Sequence, residues 1–260
     1  MPHLLNVWPS VSRKLLAADR VLLVCDYDGT LTPIVARPET AILTEKTRCL
    51  LSILANMDRF VVGVISGRSL PDLESIVAVP GLVYAGNDGL EISGLGVDFV
   101  HCGASDFSDS LSEIARKLQQ ELSDVPEIVI DNKRLILTVH LRNTPDHYSA
   151  QVDEMLIATV KPYVESGQMK ITRGTNVTEI MPNISWGKGR AIEQIRRGCG
   201  DNPIPIFFGD DQMDEDGFVA VQNVGGVAVY IGGTRQNTTA LHQLESPTEV
   251  EQALTLLIQL

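Results

Sequence analysis

The chain has 260 residues, of which 44% are hydrophobic, and it carries a formal net charge of −12. This length and apolar content suit one large domain or a core with an inserted unit, and the acidic balance argues against nucleic acid as a partner, because nucleic acids are bound by basic surfaces. The four scattered cysteines favour a reducing, cytoplasmic setting, and the lack of a long apolar run or signal-peptide pattern predicts no membrane contact.

The first part of the chain alternates amphipathic helices with strands that are apolar throughout. The pattern predicts strands over 21–26, 60–65 and 82–85 and a helix over 8–19. It also predicts a helix over 45–57 with Thr44 as its N-cap, and a further helix with Ser69 as its N-cap. Strands that are buried on both faces and separated by helices indicate a parallel sheet covered on both sides. An α/β fold is therefore expected here.

The middle of the chain has a different order, helix-strand-strand-helix-strand-strand, which indicates an antiparallel sheet with helices on one side. The predicted helices and strands cover 107–122, 127–131, 135–142, 147–164 (kinked or ended near Pro162), 168–173 and 177–181, with the last two strands joined around 174–176. The first pattern then resumes with a helix from 188, a strand over 204–208, a helix near 214–222 and a strand over 227–231. We therefore predict a core made of 1–102 and 182–260, and a smaller α+β cap inserted at 103–181.

Two aspartates, Asp26 and Asp28, stand at the end of the first predicted strand, and Gly29 and Thr30 follow them. In an open α/β sheet, ligands bind at the carboxyl ends of the strands. Two carboxylates held so close bind a cation, share a proton, or act separately as nucleophile and acid. Taken alone, the stretch is equally compatible with an Asp-Gly turn after a core strand.

Four segments, in this order, resemble the motifs of haloacid-dehalogenase-type phosphatases: 26–30, 64–68, 186–190 and 207–216. The resemblance implies a Rossmann-like core and cleavage of a phosphate ester through an aspartyl-phosphate. It implies that Asp26 is the nucleophile and that Asp28 is the general acid. The alternative is that both residues hold Mg²⁺ without covalent chemistry.

The resemblance also implies the remaining core roles. Mg²⁺ is expected at an acidic set, with the last two residues holding its waters: Asp26, the main-chain carbonyl of Asp28, Asp210, Asp211 and Asp214. The phosphate side is expected to involve Ser66, Gly67, Arg68 and Lys188. Taken singly, the acidic run at 210–216 is also typical of a solvated loop, the Ser-Gly-Arg segment of an ordinary turn, and the Gly-Lys-Gly segment of a capped helix start. Glu215 and Asp216 are interpreted as helix N-terminal charges and not as ligands.

Three further segments, 132–143, 177–182 and 86–91, resemble those of trehalose-6-phosphate phosphatases. The resemblance implies trehalose 6-phosphate as the small-molecule substrate and a functional link to a trehalose-phosphate synthase. It implies that sugar recognition falls to Lys133, His140, Arg142 and Glu179 in the cap, and to Asn87, Asp88 and Glu91 in the core. We expect His140 and Arg142, two apart on one strand, to share a face.

Two positions depart from that family's pattern: Asp88 stands where the family usually has histidine, and Met181 where arginine is common. A phosphatase acting on sucrose phosphate or a glycosyl-phosphoglycerate therefore stays open as an alternative. A non-catalytic phosphosugar-binding protein is the rival from another class. The cap residues and the loop at 87–91 also admit purely structural hydrogen bonding.

Overall fold

A computed structural model describes residues 1–35, 37–174, 176–233 and 237–260, and Pro38 through its main chain only. These residues form two compact units, Met1–Phe99 with Trp186–Leu260, and Val100–Ser185. Thr175, in the middle of the predicted turn at 174–176, lies outside the described residues.

The strands of the described residues are, in chain order, β1 (Val21–Asp26), β2 (Phe60–Ile65), β3 (Val83–Gly86), β4 (Glu91–Ser93), β5 (Phe99–Val100), β6 (Val129–Asn132), β7 (Leu137–His140), β8 (Met169–Gly174), β9 (Val177–Pro182), β10 (Ile204–Gly209), β11 (Val227–Ile231) and β12 (His242–Leu244). The α-helices are α1 (Trp8–Leu16), α2 (Glu45–Ala55), α3 (Leu70–Val77), α4 (Cys102–Ser105), α5 (Ser108–Glu121), α6 (Ser149–Glu165), α7 (Lys188–Gly198), α8 (Glu215–Asn223) and α9 (Pro247–Leu257). None of the described helices is long and apolar enough to cross a membrane.

The larger unit is built on an eight-stranded sheet in the order β12-β11-β10-β1-β2-β3-β4-β5. Strand β1 pairs in parallel with both β10 and β2. The pairs β10–β11, β11–β12 and β2–β3 are also parallel, and the β3–β4 pair is antiparallel. The predicted parallel sheet is confirmed, and the strand predicted at 204–208 lies beside the first strand.

Strand β1 is apolar throughout because successive residues point to opposite faces and both faces are covered. Leu23 and Cys25 join an apolar cluster with Leu51 of α2, whereas Leu22 and Val24 join a second cluster with Ile195 of α7. All six residues of β1 are buried. This strand therefore carries its end, Asp26, into the interior.

The predicted helix caps are confirmed. The Thr44 side chain accepts a hydrogen bond from the Thr47 amide at the start of α2, and Ser69 accepts one from the Asp72 amide at the start of α3. Each cap satisfies an amide that has no partner within its own helix. Ser69 thus marks the start of α3, shortly after the turn that follows β2.

The smaller unit is a four-stranded antiparallel sheet in the order β6-β7-β9-β8, as the sequence pattern predicts. Leu137 and Val139 of β7 and Ile180 of β9 pack with apolar residues of α5 and α6. Pro162 does not end α6, which continues to Glu165. A proline this close to the C-terminus of a helix removes a single hydrogen bond and leaves the preceding turns intact.

Candidate active site

The candidate site lies at the carboxyl edge of the parallel strands of the larger unit. In the strand register, Cys25 pairs with Phe208 of β10 and with Val64 of β2, so the residues that follow these strands emerge side by side. The loops after β1, β2, β3 and β10 thereby bring Asp26, Ser66, Asn87 and Asp210 to the same edge. These loops, with the adjoining ends of β1, β4 and α7, hold the core residues that the sequence motifs single out.

A buried ion group, Asp26–Lys188–Asp214, forms the centre of this edge. Lys188 Nζ donates to Asp26 Oδ1 and to Asp214 Oδ1, at 2.7 Å in both cases. The three residues are at most 5% exposed. Burial alone would lower the pKa of Lys188, but Asp214, Asp26 and Asp88 together raise it well above its usual value. Lys188 is therefore a fixed cation directed at Asp26.

Asp214 organises the loop after β10 through its second oxygen. Its Oδ2 accepts hydrogen bonds from the amides of Asp210 and Asp211 at 2.9 and 3.1 Å. Asp211 in turn accepts from the Met213 amide at 2.6 Å, which closes a capping box with Asp214. Both Asp214 oxygens are thus committed to Lys188 and to the main chain, and Asp210 extends beside Asp26.

The acidic side chains at this edge fit a divalent cation. One carboxylate oxygen from each of Asp26, Asp210 and Asp214 lies within 4.8 Å of the others. Burial, followed by the neighbouring carboxylates, raises the pKa of Asp210 to about 7, and burial together with Asp214 and Asp210 holds that of Asp26 well above its usual range despite Lys188. Asp26 Oδ2 is buried without a hydrogen-bond partner among the described residues. Hard oxygens that repel one another in this way are suited to Mg²⁺.

Asp28 is held by a fork of hydrogen bonds from Arg68. Nε and Nη2 of Arg68 donate to the two carboxylate oxygens of Asp28 at 2.8 and 2.7 Å. Arg68 is itself fixed by Asp72, which accepts from Nη1 at 3.2 Å, and its guanidinium lies over the Tyr27 ring at 5.3 Å. Asp72 has no assigned role in the sequence prediction, although its i,i+4 spacing from Arg68 is a recognisable signal for this contact.

The turns after β1 and β3 need unusual backbone conformations. Gly29 has a φ of +96°, and a Cβ atom there would lie 2.1 Å from Asp210 Oδ2, so only glycine allows the two loops to meet. Asn87 and Asp88 have φ values of 51° and 54°. Their amides donate to the carbonyls of Arg68 and Ser66 at 2.7 and 2.9 Å, which ties this turn to the one after β2.

Hydrogen bonds also fix side chains in the turns after β1, β2 and β3. Asn87 Nδ2 donates to Glu91 Oε2 at 2.9 Å, and both residues are buried. The Ser66 hydroxyl accepts from the Arg68 amide at 3.2 Å and remains almost fully buried. The sequence prediction did not include Thr30, whose hydroxyl donates to Asp210 Oδ1 at 3.4 Å.

In the smaller unit, the predicted sugar-binding residues are partly brought together. Thr138 stands opposite Glu179 in the register of β7 and β9, and His140 lies two residues further along β7, so His140 and Glu179 share a face. This is the face opposite Leu137, Val139 and Ile180, which pack with the helices.

Arg142 and Lys133 lie outside that pair. The predicted strand 135–142 ends at His140, and Arg142 sits in a turn closed by a hydrogen bond from the Thr144 amide to the Leu141 carbonyl at 3.0 Å. The prediction that Arg142 shares a strand face with His140 was therefore wrong, because strand alternation stops before it. Lys133 lies in the β6–β7 loop, at the other end of β7 from His140.

This fold, a Rossmann-like core with acidic loops at the carboxyl edge of its strands and an added α+β unit, is that of a haloacid-dehalogenase-type phosphatase. The family model described as Trehalose-phosphatase matches residues 24–247. The chain belongs to the trehalose-phosphatase family, as the sequence resemblance predicts.

Two curated proteins and one solved structure illustrate what the chain is similar to. A rice protein (Oryza sativa subsp. japonica) described as probable trehalose-phosphate phosphatase 4 is 31% identical over 99% of this chain and 71% of its own length. A Mycobacterium tuberculosis protein described as an uncharacterized glycosyl hydrolase is 36% identical over 98% of this chain, which corresponds to 19% of that longer protein. The solved C-terminal domain of the C. albicans trehalose-6-phosphate phosphatase has a TM-score of 0.80 at 23% identity, covering 100% of this chain and 98% of that one, and shows the shared fold.

Proposed function

We propose that the protein hydrolyses trehalose 6-phosphate to trehalose and phosphate through a phosphorylated Asp26, with Mg²⁺ as cofactor. The observation that carries this proposal is the contact between Lys188 Nζ and Asp26 Oδ1 at 2.7 Å inside a buried acidic group. A binding protein has no need for a buried carboxylate that is held by a lysine on one oxygen and left without a described partner on the other. Family membership supplies the substrate class.

In the first step, a carboxylate oxygen of Asp26 attacks phosphorus, and the bond from phosphorus to the sugar oxygen breaks. The departing sugar oxygen takes a proton from Asp28, so free trehalose leaves and Asp26 carries the phosphoryl group. Lys188 holds Asp26 in place and balances negative charge at the phosphoryl oxygens. We assign the Ser66 hydroxyl a hydrogen bond to one of those oxygens.

In the second step, Asp28 accepts a proton from water, and the water oxygen attacks phosphorus. The bond from phosphorus to Asp26 breaks, which releases inorganic phosphate and restores both carboxyl groups. A protonated Asp28 oxygen cannot also accept a hydrogen bond from Arg68 along the same direction. Because Arg68 occupies one lone pair on each Asp28 oxygen, the catalytic proton takes a different lone pair, and Arg68 acts as a positioning residue for the acid.

We assign the cation to Asp26, the main-chain carbonyl of Asp28 and Asp210, with Asp211 and Asp214 supporting its waters. When bound, Mg²⁺ would offset the negative charge of the carboxylates and the phosphate. Asp214 is suited to an indirect role because both of its oxygens already accept hydrogen bonds, from Lys188 and from two main-chain amides.

We assign sugar recognition to His140, Arg142, Glu179 and Lys133 of the smaller unit, together with the turn that holds Asn87, Asp88 and Glu91. His140 and Glu179 share a sheet face, and side chains of this kind exchange hydrogen bonds with sugar hydroxyls. Asp88 in place of histidine changes a donor into an acceptor near Lys188. A different disaccharide phosphate or a glycosyl-phosphoglycerate is therefore the substrate to test against trehalose 6-phosphate.

The decisive experiment measures phosphate release from trehalose 6-phosphate, sucrose 6-phosphate and glucosyl-phosphoglycerate by the purified chain, with Mg²⁺ and with EDTA. We expect the highest kcat/KM for trehalose 6-phosphate, and loss of turnover in EDTA that returns with added Mg²⁺. A higher kcat/KM on either other substrate would contradict the substrate assignment. Activity that persists in EDTA would contradict the cofactor.

Asp26→Asn tests the covalent step, and Asp58→Asn is its matched control. Asp58 is exposed and lies two residues before the amino end of β2, away from the site. We expect Asp26→Asn to abolish turnover, and beryllium fluoride to bind the unsubstituted chain but not the variant. Substantial turnover by Asp26→Asn would refute catalysis through a phosphorylated Asp26.

The cytoplasmic setting and the link to a synthase stay predictions, which cell fractionation and co-expression with a synthase would test.

A further inference from the structure

Helix α7, which carries Lys188 at its first position, begins without a capping side chain of its own. Its N-cap is Gly187, in extended backbone conformation with φ of −177° and ψ of −175°, and it makes no side-chain cap hydrogen bond. The first amides of a helix have no partner within the helix and need an acceptor from elsewhere. Loss of order at this end would directly displace the Lys188 ammonium.

The missing acceptor comes from the neighbouring helix. Asp216, in the first turn of α8, accepts a hydrogen bond through Oδ2 from the Gly189 amide at 3.0 Å. The two helices pack against each other, with Gly189 close to Ala220. Asp216 thus does for α7 what a serine or aspartate at the N-cap ordinarily does within its own helix.

The close approach of Asp216 also explains the glycines on both sides of Lys188. A Cβ atom at position 187 would lie 2.3 Å from Asp216 Oδ2, and one at 189 would lie 2.5 Å from the Asp216 carbonyl oxygen. Neither position has room for a side chain while Asp216 stays where it is. The two glycines that flank Lys188 therefore leave the space that Asp216 occupies, and Asp216 lies 27 residues after Gly189 in the chain.

We infer that Asp216 is a positioning residue that caps α7 from outside and so fixes Lys188 against Asp26. Two carboxylates on the same short segment hold Lys188 from both ends. Asp214 binds the Nζ atom at 2.7 Å, and Asp216 binds the main chain one residue after it. This inference rests on the proposed catalytic role of Lys188.

The test is a double-mutant cycle between Asp216→Ala and Gly187→Ser. Asp216→Ala removes the cap, and we expect kcat to fall about 10- to 100-fold, as misplaced catalytic groups commonly produce. Because Lys188 acts at the phosphate, kcat should fall by the same factor on trehalose 6-phosphate and on an aryl phosphate. The inhibition constant of vanadate should rise by a matching factor. Asp216→Asn keeps an acceptor oxygen and should retain kcat within about twofold.

Gly187→Ser supplies an N-cap hydroxyl inside α7, but only once Asp216 no longer occupies the space. We therefore expect the serine to lower kcat in the unsubstituted chain and to raise it in the Asp216→Ala background. A change of sign between the two backgrounds would support the inference. A serine that lowers kcat in both backgrounds, or an Asp216→Ala variant with unchanged kcat and vanadate inhibition, would overturn it.

Thr44→Ala is the control for a general loss of stability. It removes the N-cap of α2, a contact with the Thr47 amide at 3.0 Å that has no link to Lys188. We expect it to lower the melting temperature and to leave kcat unchanged. If kcat fell in both Thr44→Ala and Asp216→Ala, and in each variant in proportion to the fall in melting temperature, Asp216 would have only a structural role. An active Asp26→Asn variant would instead refute the proposed function and leave the capping contact itself intact.

Discussion

Replacing Arg68 with lysine tests how Asp28 is held in place for its proposed role as the general acid. Nε and Nη2 of Arg68 donate to the two Asp28 oxygens at 2.8 and 2.7 Å, and Nη1 donates to Asp72 at 3.2 Å. Lysine keeps the positive charge, but a single ammonium cannot reproduce the planar fork or lie flat over the Tyr27 ring. Asp28 therefore loses at least one charge-assisted hydrogen bond.

The size of the effect follows from that loss. A hydrogen bond to a charged group contributes about 1.5–3 kcal/mol, and about 1.4 kcal/mol corresponds to a tenfold change in rate. The Arg68 side chain is 9% exposed but that of Asp28 is 40% exposed, so solvent screening reduces the effect toward the lower value. We expect the step that needs the proton of Asp28 to slow about tenfold.

The assay compares kcat/KM for trehalose 6-phosphate and for 2,4-dinitrophenyl phosphate, since kcat/KM covers only the steps up to departure of the leaving group. A sugar oxygen needs a proton in order to leave, and a dinitrophenolate does not. Arg68→Lys should therefore lower kcat/KM about tenfold on the sugar phosphate and at most about twofold on the aryl phosphate. Arg59→Lys is the matched control, because Arg59 holds the main-chain carbonyls of Leu15 and Ala18.

Two outcomes would refute this reasoning. An equal loss on both substrates would mean that Arg68 acts on the phosphate itself, the substrate-binding role that the sequence prediction assigns to it. Unchanged kcat/KM on both would mean that the fork is not needed to place Asp28. A loss that Arg59→Lys reproduces would point to a general effect of replacing an arginine.

Three further predictions concern other contacts. Asp214→Asn should lower kcat by about 10²-fold or more, because one amide side chain cannot accept both from Lys188 and from the loop amides, and steady-state kinetics with a circular-dichroism control would test this. Arg142→Ala should lower kcat/KM for trehalose 6-phosphate far more than for a small aryl phosphate, and equal losses would remove it from sugar recognition. Burial raises the pKa of Glu251, but Lys46, Thr44 and Thr47 together lower it by more than burial raises it. The pKa of Glu251 in the folded chain therefore lies below its usual value of 4.5. The stability that Glu251 contributes is then present above that pH and lost as the pH falls through the folded pKa, and the melting-temperature difference between the unsubstituted chain and Glu251→Gln should shrink on acidification.

Much of the fold could be predicted because the relevant signals are local. The apolar run of β1 indicates a strand covered on both faces, and Thr44 and Ser69 are helix caps whose hydrogen bonds the structure contains. Helix α9 lies outside the predicted elements, although Pro247 in its first turn and apolar residues that end at Leu257 form an equally clear pattern. Strands β4, β5 and β12 are two or three residues long and are too short to show a periodic pattern.

The site was harder to predict where it depends on contacts between distant segments. Arg68 looks like a phosphate ligand in the sequence, yet its guanidinium binds Asp28, 40 residues away in the chain. Arg142 looks like a continuation of β7, but the chain turns after His140, and the Leu141 amide donates to the Asn176 carbonyl. Neither arrangement is encoded by spacing, because each depends on which loops the sheet order places side by side.

The acidic residues from Asp210 to Asp216 show why composition alone cannot assign roles within one loop. Strand β10 ends in the core and directs this segment back across the sheet edge, which leaves Asp214 fully buried while Asp211 and Asp216 stay exposed. The same side-chain chemistry then serves three purposes: Asp210 beside Asp26 for the proposed cation, Asp214 for the Lys188 ammonium, and Asp216 for the Gly189 amide at the start of α7. Burial and the nearest hydrogen-bond donor, and not residue type, separate these three roles.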